Sequence, residues 1–464
     1  MTRLVVVSNR VSVPSKSGTL KGGLAVSLRD ALTRYESIWF GWDGCIGSAN
    51  NGRLNRATRG NTTYYTVPLT RQDYDQYYRG YSNQVLWPLC HERLNLIHYQ
   101  RTYETGYRRV NSLLSSRLNK LLHDDDLIWV HDYHLIPMAH YLREMDCRAP
   151  IGFFLHIPFP PYDVFRALPN HERLLREMCC YDLLGFQTEI DRRAFLDCVR
   201  QTLPDYKLVN GGSIRVGKRT LRTGAFPISV DVEDVRSEAS RGRTSGAGKR
   251  LERSLLGRKL IIGADRIDYS KGLGGRLRAY ECMLRRYPSF HRNVVMLQVG
   301  QPSRDDVPEY QEIQRDLAAT AGEVNSTFAE FDWIPLRYVA KGLARSTILG
   351  FLSIGAAGLV TPLRDGMNLV AKEFVAAQDP DDPGVLVLSE LTGAARELRE
   401  ALLVNPYDQD GVADALAQAI TMPSKERKER WESLLKTISG NDIHNWCRGF
   451  LKELRAARKL QKAA

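Results

Sequence analysis

The feature that most restricts what this 464-residue chain can fold into is a repeated one: short apolar runs that stop abruptly at polar residues before a helix-like pattern begins. In the first half, residues 4–7 run into Ser8-Asn9-Arg10 and residues 127–130 into His131-Asp132-Tyr133-His134. Residues 151–155 run into His156, and residues 183–186 into Gln187-Thr188-Glu189. The second half repeats the device at residues 259–263 before Asp265-Arg266, 294–299 before Ser303-Arg304, and 358–360 before Thr361. A further run covers residues 384–389. Short runs that are apolar throughout suit parallel strands covered on both faces, and the intervening helical patterns make βα units. The length is too great for one ordinary core. The expected fold is therefore α/β, with two doubly wound Rossmann-like domains facing across a cleft. Residues 1–230 are expected to form the first domain, 231–258 a polar connector, and 259–440 the second domain. Residues 441–464 are expected to form a helix that crosses back to the first.

Charge and cysteine content narrow the class. The formal charge of +12 is concentrated in two stretches. Residues 241–259 hold seven basic residues and one acid, and residues 448–462 hold six and one. Neither has aromatic residues interleaved for base stacking, so nucleic acid is not the expected partner. No run approaches the ~20 apolar residues of a membrane helix, so no membrane partner is expected either. The eight cysteines are scattered with no C-x-x-C, which reads as reduced thiols in a cytoplasmic protein.

In open α/β sheets, ligands bind beyond the strands' carboxyl ends, so the polar residues there are the candidate site. In the second half, Arg266 and Lys271 share one loop that leads into a helix, an arrangement that suits a diphosphate and equally occurs as a solvated loop. The stretch TPLRDGMNLVAKE, residues 361–373, places Asp365 in a turn and Glu373 two helical turns later. Both carboxylates could grip sugar hydroxyls. The plainer alternative is an ordinary βα loop with Asp365 as the helix cap. Gly22-Gly23 before a helical pattern is either a tight turn or a close approach to phosphate. The aromatic residues between positions 36 and 90 are core or a platform for sugar rings. His131 and His134 bracket a turn with no third ligand at metal spacing, and Asp124/Asp126 reads as a turn, so no metal is expected. Ser245 to Lys249 imitates a P-loop but lacks its first glycine and its hydroxyl residue.

Taken together, the motifs SNR at 8–10, KGGL at 21–24, SNQVLWP at 82–88, WVHDYHL at 129–135, FLHIPFP at 154–160, DRIDYSKG at 265–272 and TPLRDGMNLVAKE resemble those of the trehalose-6-phosphate synthases. These are retaining glycosyltransferases of the two-domain GT-B type, and the likeness runs from about residue 4 to residue 446. It implies transfer of glucose from UDP-glucose to glucose 6-phosphate without a metal or other cofactor. A relative with another acceptor, such as a glucosylglycerol-phosphate synthase, is the alternative.

The resemblance also assigns roles. Arg266, Lys271, Gly22 and Gly23 would hold the donor's diphosphate, and Glu373 its ribose. Leu343, Leu369 and Val370 would border uracil and phosphates. Asp365, Gly366, Met367 and Asn368 would bind the glucosyl hydroxyls, and His156 the region of its O6. Arg10, Tyr78 and Arg304 would meet the acceptor phosphate, with Trp87 alongside and Asp132 on its ring hydroxyls. His156, Arg266, Lys271 and Asp365 form the expected catalytic set. A homo-oligomer is compatible with the family, and nothing in the composition shows one. No phosphatase-like domain follows near residue 464, so a separate trehalose-6-phosphate phosphatase is expected to act downstream.

Overall fold

The computed structural model describes residues 3–11, 13, 32, 36–47, 54–209, 213–217, 219–303 and 308–463. The chain forms two compact units, Met1–Pro227 with His444–Ala464, and Ile228–Ile443. Each is built around one largely parallel sheet.

The first unit's described strands are β1 (Leu4–Arg10), β2 (Ser37–Gly47), β3 (Asn55–Arg59), β4 (Thr62–Thr70), β5 (Leu127–His131), β6 (Ile151–Phe154), β7 (Leu183–Phe186), β8 (Tyr206–Val209), β9 (Ser213–Val216) and β10 (Arg219–Ala225). They pair in the order β3-β4-β2-β1-β5-β6-β7-β10-β9-β8. The central strands run parallel, and the chain after residue 203 adds the antiparallel β8 and β9. β5, β6 and β7 are buried along their whole length, which is why their sequences are apolar throughout rather than alternating. The helix Ile443–Ala463 closes this unit. Its Phe450 stacks on Trp129 of β5 at 4.6 Å, and Trp446 Nε1 donates to the Phe226 carbonyl at 3.1 Å.

The second unit's strands are β11 (Lys259–Arg266), β12 (Val294–Gln301), β13 (Leu336–Val339), β14 (Ala357–Val360), β15 (Val385–Ser389) and β16 (Leu402–Val404). They pair in the order β13-β12-β11-β14-β15-β16, all parallel. Renumbered within the unit, this is the 3-2-1-4-5-6 order of dinucleotide-binding sheets. The strand order reverses between β11 and β14. In the first unit it reverses between β1 and β5. These are the switch points at which loops diverge and leave a crevice.

The segment 231–258 is not an unstructured connector. It carries helices Val232–Thr244 and Gly246–Leu255, capped by the side chains of Asp231 and Ser245, and belongs to the second unit. Sparse apolar residues explain the error. Helix Val232–Thr244 lies so close to helix Arg345–Leu352 that a Cβ on Gly242 would come 1.8 Å from the Ser346 carbonyl oxygen. A sparse packing face of Val232, Val235, Ala239 and Gly242 among charged and polar residues looks like a linker in sequence.

Among the described residues, no helix is long and apolar enough to cross a membrane. All eight cysteines are free thiols, and Cys45 is exposed.

Candidate active site

The two loops that follow β11 and β14 meet at the second unit's switch point. The first turns sharply at Gly272, whose φ of +64° and approach to the Thr361 carbonyl (a Cβ would sit 2.5 Å away) require glycine. Asp268 accepts from the Ser270 amide at 2.9 Å and from Tyr310 Oη at 3.1 Å, which fixes the loop. Leu363 N then donates to the Ser270 carbonyl at 2.8 Å, joining the two loops through the backbone. Beneath them Arg276, 1% exposed, donates to Thr361 Oγ1 (3.1 Å), Asp265 Oδ2 (2.7 Å) and Gln298 Oε1 (3.1 Å). A buried cation held by one carboxylate and two neutral acceptors locks β11, β12 and β14 together at their carboxyl ends.

On this base Lys271 Nζ makes a short ion pair with Asp365 Oδ2. Asn368 Nδ2 donates to the same oxygen at 3.0 Å, while its Oδ1 accepts from the Ala371 amide at 3.1 Å. Asn368, rather than Asp365, is therefore the cap of helix Leu369–Ala377, and it takes this position with φ of +77°. Asp365 is left facing the loop of Lys271. Its own backbone is held from the next strand's loop, with Asp365 N donating to Leu391 O at 3.3 Å and Gly393 N to Asp365 O at 3.1 Å. Arg266 ends β11 with an exposed side chain. Gly366 and Met367 are buried in the turn, and Leu369 and Val370 are half-buried at the helix start. The helix is pinned by Lys372, 1% exposed, which donates to the Ile228 carbonyl (2.8 Å) and Glu397 Oε2 (2.6 Å).

Glu373 stands apart from Asp365 and faces Arg345, with Nε to Oε1 at 3.6 Å. Arg345 is also held by Asp234 Oδ2 at 2.6 Å. Burial pushes the Glu373 carboxyl up, and Arg345 opposes it. Leu343, half-buried, lies just ahead of the helix that carries Arg345.

In the first unit, the exposed Arg10 at the end of β1 lies over the Trp42 ring at 6.0 Å. Tyr78 packs on Trp42 at 5.6 Å, on Tyr74 at 5.4 Å and, nearly parallel, on His134 at 5.8 Å. Tyr74 and Tyr78 belong to a π-helix, Tyr74–Leu86, an unusual element often found at functional sites. Arg10 and Tyr78 thus share one aromatic neighbour, on opposite sides of the switch point from His134. The turn after β5 is held from inside the unit. Tyr107 Oη donates to the Tyr133 carbonyl (2.6 Å), Asn111 Nδ2 to that of His134 (3.1 Å), and Tyr181 Oη to that of Leu135 (2.9 Å). Asp132, in the left-handed half of backbone space with φ of +76°, accepts from the His156 amide at 3.3 Å.

His156 Nε2 lies 3.0 Å from His131 Nδ1. Burial pushes the His156 imidazole down to about 3, and burial together with His156 pushes His131 well below its usual range. Both rings are neutral at neutral pH. Trp87, 5% exposed, packs against His91 at 4.1 Å and Tyr133 at 5.6 Å. Gly22, Gly23 and Arg304 lie outside the described residues. Among the described residues, His123, Asp125 and Asp126 place ligand atoms within 4.8 Å of one another. Asp126 is already held by Arg3 at 2.8 Å and by the His123 amide at 2.8 Å.

Residues 3–456 match the model of glycosyltransferase family 20. The chain belongs to this family. A relative from Sinorhizobium fredii, a trehalose-6-phosphate synthase, is 46% identical over 461 residues, covering 98% of this chain and 99% of that protein. Family 20 structures superpose over almost the whole chain. The UDP-forming alpha,alpha-trehalose-phosphate synthase of Burkholderia vietnamiensis is 46% identical with a TM-score of 0.96, covering 99% of this chain and 98% of its own. The Burkholderia xenovorans enzyme in complex with glucose-6-phosphate is 45% identical with a TM-score of 0.94, covering 97% and 100%. The Escherichia coli protein bound with UDP-2-fluoro glucose is 45% identical with a TM-score of 0.93, covering 98% and 99%. The two units of this family 20 chain are the Rossmann-like domains of a GT-B fold.

Sequence reasoning missed three residues that shape these sites. Arg276 and Arg345 sit in helical patterns where an arginine ordinarily points to solvent. His131 was read only as an unsuccessful metal ligand, although its place at a strand end beside His156 on the neighbouring strand was a usable signal.

Proposed function

We propose that the chain transfers glucose from UDP-glucose to the anomeric hydroxyl of glucose 6-phosphate, with retention, giving alpha,alpha-trehalose 6-phosphate and UDP. The observation that carries this reading is near-complete coverage, at 45% identity, by relatives solved with glucose-6-phosphate and with a UDP-glucose analogue.

The second unit would hold the donor. Arg266 and Lys271 take the diphosphate, Glu373 the ribose, and Asp365 with the Gly366-Met367-Asn368 turn the glucosyl hydroxyls. Leu343, Leu369 and Val370 border the nucleotide. The ion pair of Lys271 with Asp365 supports this assignment, because it holds a cation for phosphate and a carboxylate for hydroxyls at adjacent points of one crevice. The first unit would hold the acceptor, with Arg10 and Tyr78 at its phosphate and Asp132 at its ring hydroxyls. His156, neutral, offers a hydrogen bond to the donor sugar near O6. Gly22, Gly23 and Arg304 keep the phosphate roles implied by the family motifs.

As the bond between the glucosyl C1 and the β-phosphate oxygen breaks, negative charge grows on the leaving UDP. Fixed cations aimed at that charge stabilise the transition state more than the ground state. The acceptor's O1 forms the new bond to C1 on the same face and gives its proton to a departing phosphate oxygen. On this reading no metal is required, since Arg266 and Lys271 neutralise the leaving group.

The test is product analysis by NMR after incubation with UDP-glucose and glucose 6-phosphate in chelator. The expected product is the alpha,alpha-linked phosphate ester, with none when glycerol 3-phosphate replaces glucose 6-phosphate. Product from glycerol 3-phosphate, or a rate abolished by chelator, contradicts the reading.

A further inference from the structure

A cavity of about 190 Å³ opens in the first unit at the amino ends of its strands, the side of the sheet opposite to Arg10, Asp132 and His156. Four arginines line it: Arg143, Arg148, Arg219 and Arg458, with the thiol of Cys147 beside them. Only one carboxylate, Asp182, joins them in the lining.

That carboxylate is fully committed. Asp182 is 3% exposed and accepts from Arg143 (2.6 Å), Arg219 (2.9 Å) and the Ile151 amide (2.7 Å). Arg143 spends its remaining terminal contacts on the carbonyls of Cys147 (2.5 Å) and Ala149 (2.9 Å). The Nε–H groups of Arg143 and Arg219 are buried without an acceptor among the described residues. Arg458 reaches the Asp124 carbonyl at 3.0 Å, and the exposed Arg148 makes no hydrogen bond or ion pair among the described residues. Burial pulls the Arg143 pKa down; Asp182 opposes the shift, and Arg219 adds to it.

Four guanidinium groups around a single shared carboxylate leave a net positive cavity with buried donors unsatisfied. Buried donors of this kind are rare, and guanidinium forks match phosphate oxygens. The volume falls below the roughly 300–1,000 Å³ of ordinary small-molecule sites, so the occupant is small. We propose that this cavity is a second anion site, distinct from the substrate-binding loops, which takes a phosphate group: inorganic phosphate or pyrophosphate, or the phosphate end of a small ester. Arg143 and Arg219 form its floor, and Arg148 and Arg458 close on the anion from the strand-end loop and the terminal helix.

The test is calorimetric titration of inorganic pyrophosphate into the full chain with UDP and glucose 6-phosphate saturating, so that the substrate sites are filled. One site is expected in the unmodified protein. Arg148→Ala and Arg458→Ala should each weaken it at least about tenfold, the size of one lost charge-assisted hydrogen bond, whereas Arg253→Ala on the second unit's surface should not. Arg148 is exposed and makes no hydrogen bond or ion pair among the described residues, so that variant tests the site with little risk to the fold. Displacement of pyrophosphate by glucitol 6-phosphate identifies an ester as an occupant, and failure to displace it identifies the inorganic anion. Absence of the site in the unmodified protein overturns the proposal. So does equal affinity in all three variants, or equal weakening by Arg253→Ala.

Discussion

The two switch points solve the same problem with different materials. In the second unit the loops are held by charge: Lys271 with Asp365, Arg345 with Asp234 and Glu373, Arg276 with Asp265, and Lys372 with Glu397. In the first unit they are held by rings and neutral hydrogen bonds, with Arg10 over Trp42, Tyr78 stacked on His134, and three buried side chains gripping the carbonyls of residues 133–135. On the proposed assignment the charged partners exchange when the donor arrives, since its phosphate would compete with Asp365 for Lys271. An aromatic cradle is already in place and changes little on binding. On the proposed assignment, electrostatics carries the chemistry on the donor side and shape does so on the acceptor side.

The contrast breaks most visibly at the buried charges. Glu397→Ala leaves Lys372 in the interior without its carboxylate, which should cost about 3–5 kcal/mol of unfolding free energy in a denaturant titration. Tyr78→Leu in the first unit's cradle, which keeps an apolar side chain, should cost less than that. Next in size, Arg266→Ala and Lys271→Ala should each lower the turnover number about 10²–10³-fold, by analogy with the loss of one oxyanion donor. Steady-state UDP release measures it, and a change confined to KM would move these residues from the transition state to ground-state binding.

Smaller again is the cradle itself. Tyr78→Leu removes ring contacts of about 0.5–1.5 kcal/mol, which predicts a two- to about tenfold rise in the KM for glucose 6-phosphate with the donor's KM unchanged. The smallest effect concerns pH. His131 and His156 are depressed in the folded chain, so between pH 6.5 and about 3 the unfolded chain binds more protons than the folded one. Stability from this pair is present above pH 6.5 and declines as pH falls below it. Melting temperatures from pH 7.5 to 5 should show that decline, reduced in His131→Asn. The turnover number should show no step near pH 6.5 from His156, which is neutral on both sides of it.

How far the sequence could be read follows the same division. The central strands were legible because a parallel strand buried on both faces must be apolar throughout, and each of the eight apolar runs falls on an observed strand, whereas strands such as β2, β4, β13 and β16 gave no such run. The polar residues at β1, β5, β11 and β14 were legible as site candidates because the switch-point rule depends on order alone. What holds those residues was not. Arg276 and Arg345 are arginines in amphipathic helices, and only the fold shows that they point inward. Helices Val232–Thr244 and Gly246–Leu255 were mistaken for a linker because their few buried apolar residues are interrupted by glycines and set among basic and polar ones. The alternative of Asp365 as the helix cap stayed open in the sequence, since either residue type caps and only the fold shows that Asn368 accepts from the Ala371 amide. The π-helix that sets Tyr74 beside Tyr78 leaves no periodic signature that an α-helix would not also leave.

The most direct measurement of the division of labour is calorimetric binding of UDP to the unmodified chain and four variants, Lys271→Ala, Glu373→Gln, Tyr78→Leu and Asp132→Asn. The account predicts that the first two weaken UDP at least about tenfold, the size of one lost charge-assisted contact, while the last two leave UDP unchanged and weaken only glucose 6-phosphate. Equal weakening of UDP by Tyr78→Leu or Asp132→Asn would contradict it.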